Sequence, residues 1–174
     1  MTILTACSKQ TPVQLTTNSD NMIPTDWKTF TSSNLDDNFE IRYPSNWKVE
    51  EGNHIVSFAP RDFDWLKTTD ENWIKEGDFS FMLNISDKAS PENSYAIARN
   101  NFQNSQTNCP KTIIANIEIF RCVLESEFDC DDTNNIQFRF KRGDIYYEGV
   151  TMYKCNGKDN GIGDKILSTL KFTK

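Results

Sequence analysis

Five cysteines, one histidine and a few grouped carboxylates are the residues of this 174-residue chain whose types suit chemistry. An odd number of thiols in an exported protein leaves one with a job apart from pairing. If Cys7 has that job, Cys109, Cys122, Cys130 and Cys155 remain, an even set confined to the C-terminal half. A zinc site would need closely spaced ligands, such as a CxxC pair. The chain has no such pair, and His54, its only histidine, is distant in sequence. His54 lies in a strand-like run beside Ile55 with no catalytic partner by motif. It therefore reads as a surface or satisfied residue before it reads as a catalyst. Asp129, Asp131 and Asp132, and again Asp62 and Asp64, set carboxylates near alternating positions that suit calcium. Neither group continues into an EF-hand loop, because the glycine and the terminal glutamate are missing. A solvated acidic loop is the plainer reading, and a calcium-dependent structural role stays open. GxSxG, HExxH, Walker and Rossmann glycine patterns are absent. No catalytic residue and no cofactor is assigned.

Cys7 closes the stretch LTAC, Leu4 to Cys7. That order of Leu, a small residue, Ala and Cys fits the bacterial lipobox, at whose cysteine a lipoprotein is cut and acylated. Only six residues precede it, without the basic and apolar regions of a signal peptide, which fits a start placed late in a longer precursor. Residues 1–7 are thus read as the remnant of a lipoprotein signal. Residues 8–25, rich in Thr, Ser, Asn and Gln and without apolar periodicity, are read as a flexible tether. Several acyl chains on Cys7 would hold the protein at a membrane where one would not. Ser8 rather than aspartate follows the cysteine, which favours an outer-membrane destination in a two-membrane cell.

The remaining residues, 26–174, suit one domain with a real core. Twelve Phe, five Tyr and four Trp can supply it. A net charge of -6 repels phosphate backbones, so nucleic acid is excluded as a partner. No apolar run approaches the roughly 18 residues of a membrane span.

Alternation of apolar and polar residues predicts strands over FEIRY, WKV, HIVSFAP and FSFMLNIS, with Pro44 ending the first. Ser90 as N-cap and Pro91 as first residue predict a helix with Tyr95, Ala98 and Phe102 on its inner side. Strands follow at 113–114, 117–124, 136–140 and 145–153, and a short amphipathic helix runs to about Thr169. Short connections demand antiparallel pairing. The expected class is α+β, an antiparallel sheet with helices packed on it. Residues 60–77 hold no clear element. Their length and their Trp65 and Trp73 mark a candidate surface for a protein partner or small ligand, against the plainer reading that they cover the sheet.

A two-residue turn at Arg142-Gly143 would set Lys141 opposite Asp144 and Phe140 opposite Ile145. Carried outward, this register sets Cys130 opposite Cys155 as a non-hydrogen-bonded pair, where a disulfide fits. Cys109 and Cys122 then remain for each other. A bulge in DDTNN, 131–135, would shift the register, and four reduced thiols remain the alternative.

The stretch from Asp26 to Glu50 resembles the opening of the PsbP-like superfamily. Trp27 and Phe30 stand for its Trp-x-x-Tyr/Phe element, and Tyr43, Pro44 and Trp47 for its Tyr-Pro-x-x-Trp. Ile166 to Phe172 is similar to the family's closing helix and tail, with Leu170 where phenylalanine is usual. The resemblance brackets residues 26–172, and the cysteine-bearing middle matches nothing in it. It implies an antiparallel sheet sandwiched between helices, an α/β/α arrangement, and exported lipoproteins without known activity. No binding residue carries over. The combined expectation is a lipid-anchored, non-enzymatic domain of the cell envelope that binds a protein or small ligand. The alternative is an envelope hydrolase working through carboxylates.

Overall fold

The structure is a computed structural model and describes residues 23–32, 38–63, 79–124, 133–154 and 161–173. The elements among them run β1 Lys28–Thr31, β2 Phe39–Tyr43, β3 Trp47–Glu51, β4 Ile55–Pro60, β5 Phe79–Ser86, α1 Glu92–Asn108, β6 Lys111–Ile114, β7 Ile117–Leu124, β8 Thr133–Arg142, β9 Ile145–Lys154, α2 Ile162–Leu167 and β10 Lys171–Phe172. Seven strands form one antiparallel sheet in the order β3-β4-β5-β9-β8-β7-β6, and three form a second in the order β1-β2-β10.

Period-2 alternation decides what each face of the large sheet meets. One face carries Val56, Phe58, Phe81, Leu83, Ile136, Phe138, Phe140 and Tyr147, all buried. Phe39 and Ile41 of β2 cover it, with Ile166 and Leu167 of α2 and Leu170 beside them. Phe30 and Tyr43 reach across to Phe58, with ring centroids 5.8 and 5.3 Å away. This core lies between two sheets, with a six-residue helix at its edge. The expectation of a sheet sandwiched between helices is therefore wrong. The fold is mainly antiparallel β, with only two helices among the described residues. The error traces to Trp27–Thr31 and Lys171–Phe172. Both segments are too short to show alternation, yet they flank β2 and make the second sheet. Of the residues matched to the PsbP-like opening and tail, Phe30 lies on β1, Tyr43 ends β2 and Phe172 lies on β10, while Trp47 starts β3 of the large sheet.

The other face of the large sheet is partly covered by α1. Tyr95, Ala98 and Phe102 are half-buried and Ser105 is buried, a 3-4 spacing that fits one inner stripe. Tyr95 and Phe102 both pack on Tyr146, and Phe102 also meets Phe120. Ser90 does not cap this helix. The carboxylate of Asp87 accepts the N–H groups of Ala89 and Ser90, each at 2.9 Å, and makes a turn of its own. The helix then begins after Pro91 without a side-chain cap.

The β8–β9 register also differs from expectation. Arg142 pairs with Ile145 and Phe140 with Tyr147, so the two-residue loop is Gly143-Asp144. Gly143, at φ +58°, takes the first loop position, where glycine meets no Cβ penalty. Arg142 stays in the ladder, with its guanidinium 4.4 Å from the ring centre of Phe172. Phe140 stacks flat on Tyr147 at 4.7 Å. Every pairing moves by two places, which preserves the inward faces but removes the basis for setting Cys130 opposite Cys155.

Candidate functional site

The α1-facing side of the sheet carries polar residues where the core side carries aromatics. Ile55, Asn84, Glu148 and Arg139 are successive cross-strand neighbours on β4, β5, β9 and β8. Arg139 is the hub. Its Nε donates to Glu148 Oε1 at 2.9 Å, and its Nη1 to Ser105 Oγ at 2.8 Å and the Asn101 carbonyl at 3.4 Å. Its Nη2 donates to Gln137 Oε1. The two charged side chains are only 15% and 22% exposed, so the pair is screened less than a surface one. It fixes the C-terminal half of α1 over β8 and β9.

Toward the start of α1 the helix leaves the sheet uncovered. A groove of about 410 Å³ opens there. Its floor is Ile55, Asn84 and Glu148, and its wall is Ser94, Ile97 and Ala98 of α1. His54, Ser86 and Ser90 close one end. Ile97 stands 59% exposed at the rim. A second hollow, over the outer side of α1 between Lys88 and Gln103, is lined mainly by helix surface.

Cys109 follows α1 directly and is disulfide-bonded to Cys122 of β7, with Cα atoms 5.0 Å apart. Cys122 is 4% exposed, and its Sγ lies 3.5 Å from Ser105 Oγ. Disulfide, Ser105, Arg139 and Glu148 thus form one continuous chain of contacts from the helix end to the groove floor.

Of the residues singled out in the sequence, His54 lies in the β3–β4 turn and lines the groove. Asp62 is exposed in the turn after β4. Phe63, in the 60–77 segment, is buried against Ala59 and Met152. Cys7, Asp64, Trp65, Trp73, Asp129, Cys130, Asp131, Asp132 and Cys155 lie outside the described residues. Among the described residues no three metal-ligating side chains come together. Asn84, Glu148, Ser94 and Arg139 were not singled out. The one signal for the three strand residues was parity, since Asn84 in FMLNIS, Arg139 in FRFKR and Glu148 in YYEGV fall on the face away from the aromatic core.

No protein-family model matches the chain, and no curated protein does. Its fold is similar to that of a crystal structure from Bacteroides thetaiotaomicron VPI-5482, at 17% identity and a TM-score of 0.56. The match covers 86% of this chain and 49% of that one, so the chain spans about half the length of the structure it matches.

Proposed function

We propose that this chain is a lipid-anchored, non-enzymatic binding domain of the cell envelope, whose groove between α1 and the sheet takes a small ligand. The observation that carries the binding reading is the groove itself. Its size falls within the range of ligand pockets, and Asn84, Glu148 and Ser94 converge there beside the aliphatic Ile55, Ile97 and Ala98. The disulfide between Cys109 and Cys122 supports an oxidising compartment, where such bonds persist. The lipobox at Cys7 supports the anchor.

A hydrolase working through carboxylates would need a pair of carboxyl groups, about 5–9.5 Å apart in a glycosidase and closer in an aspartic-protease-type dyad. The described lining of the groove supplies one, Glu148, and Arg139 holds it as an ion pair. That arrangement favours holding over proton transfer.

The test is a thermal-shift screen of small polar compounds against the chain and its Ser94→Trp variant. Ser94 is exposed on the groove wall, so the indole fills the groove without touching the core. Compounds that raise Tm in the parent and not in the variant support the reading. Shifts equal in both, or none, overturn it. The anchor is tested by intact mass after expression from an upstream start, which should show an N-terminus at Cys7 with added acyl mass.

A further inference from the structure

We infer that the groove recognises a neutral, hydroxyl-rich ligand of saccharide type; this rests on the reading of the groove as a binding site. Charge comes first. The described lining has one carboxylate and no lysine or arginine. The donors of Arg139, just behind Glu148, are directed at Glu148, Ser105, Asn101 and Gln137. The lining thus offers an anion no free cationic side chain, and the whole chain carries a net charge of -6.

Backbone supply comes second. An extended peptide is usually held by main-chain hydrogen bonds at a sheet edge. The floor strands β4, β5 and β9 are all interior, so their N–H and C=O groups are consumed by neighbouring strands. On the wall, the Ser94 N–H already donates to the Pro91 carbonyl at 2.7 Å. Recognition must therefore come from side chains.

Those side chains suit hydroxyl groups. Asn84 and Glu148 are directly opposed across β5 and β9, with Cβ atoms about 5 Å apart. An amide offers donors and an acceptor, and a carboxylate offers acceptors. Side by side they match two neighbouring hydroxyls, which both donate and accept. Ser86 and Ser94 add rotatable hydroxyls, and His54 adds an imidazole at the end. Ile55, Ile97 and Ala98 present aliphatic surface to the C–H face of a pyranose ring, and the exposure of Ile97 at the rim fits that contact.

Saturation-transfer NMR on the full chain tests this, with lactose, maltose and N,N′-diacetylchitobiose as neutral probes and glucuronate, glucose 6-phosphate and trialanine as controls. At least one neutral disaccharide should receive saturation and the controls should not. Affinity for it should fall at least fivefold in both Asn84→Leu and Ser94→Val. Ser94→Val lies on an exposed helix position and keeps the fold, so a loss there is not unfolding. Transfer only to the charged or peptide probes, abolished by Ser94→Trp, would keep the groove and overturn the ligand class. Transfer to none of the six overturns the saccharide assignment, while the groove reading stands or falls on the compound screen with the same plugged variant.

Discussion

Gly163 of α2 lies against Thr151 of β9 so closely that a Cβ on the glycine would penetrate Thr151 Oγ1 and sit 2.9 Å from Cε2 of Phe138. Thr151 is fully buried and its hydroxyl has no hydrogen-bond partner. The helix can seat Ile166 and Leu167 in the core only because position 163 has no side chain. Gly163→Ala is expected to lower stability by about 1–3 kcal/mol despite alanine's better helix propensity, because overpacking outweighs it. Thr151→Ala in the same chain removes the clashing hydroxyl and should recover part of the loss. Urea denaturation of the two single variants and the double variant reads the coupling. Strict additivity would refute the contact.

The disulfide closes a loop with a sequence separation of 13 residues. Loop-closure entropy predicts about 3 kcal/mol from such a bond. Replacing Cys109 by Ser and Cys122 by Ala should cost about 2–3 kcal/mol in denaturant unfolding. Amide exchange should accelerate first in the last turns of α1, whose single buried residue is Ser105. An exchange pattern unchanged at residues 101–108 would show that the Arg139 contacts alone hold the helix.

Thr169 does for β2 what β10 is too short to do. Its Oγ1 accepts the Arg42 N–H at 2.7 Å and donates to the Ile166 carbonyl at 2.7 Å, while β10 pairs only with residues 39 and 40. Thr169→Val keeps the shape and removes both bonds. A cost of about 1–3 kcal/mol is expected from the unpaired N–H, and Thr169→Ser should retain most of the stability. Equal losses in the valine and serine variants would assign the effect to packing.

Lys88 donates to Asp144 Oδ2 at 2.6 Å, linking the approach to α1 with the β8–β9 turn. The hydrogen bond, and then the charge, hold the Asp144 carboxyl below its ordinary value and raise the Lys88 ammonium above its own. A depressed carboxylate stabilises the fold above its unfolded pKa of about 3.9, and that stability is lost as pH falls through the folded value. A raised ammonium stabilises below about 10.4, and that stability is lost as pH rises through the folded value. The pair therefore acts across the neutral range and fades at both ends. An NMR titration of Asp144 should show its midpoint rise toward the ordinary value in Lys88→Gln. An unmoved midpoint would mean that the pair does not persist in solution.

The sequence made the strands of the large sheet legible because each has a one-sided core. Val56-Phe58 and Phe81-Leu83-Ile85 alternate cleanly, and the register slip at Gly143 left those faces unchanged. The second sheet was hidden because β1 has four residues and β10 two, and both owe their form to β2. At the Ala115-Asn116 turn, both residues take positive φ, 51° and 63°, without a glycine to announce it. The groove was hidden for another reason. Asn84 and Glu148 are ordinary polar residues in separate strands, and only the pairing of β5 with β9 brings them together. The mark they leave in sequence is that each breaks no rule, being polar on the face where polar residues belong.

In the small sheet, β2 is flanked by a strand that precedes it and by one that follows about 130 residues later. Residues 39–43 must therefore wait for residues 169–172 before the aromatic layer over Phe58 is sealed. Contacts of such high sequence separation slow folding, because the loop must close before they form. A chain emerging N-terminus first would complete the pairing of Phe39 and Glu40 with Phe172 and Lys171 only at the end of its passage. Closure of the small sheet is then expected as a late, single step in folding.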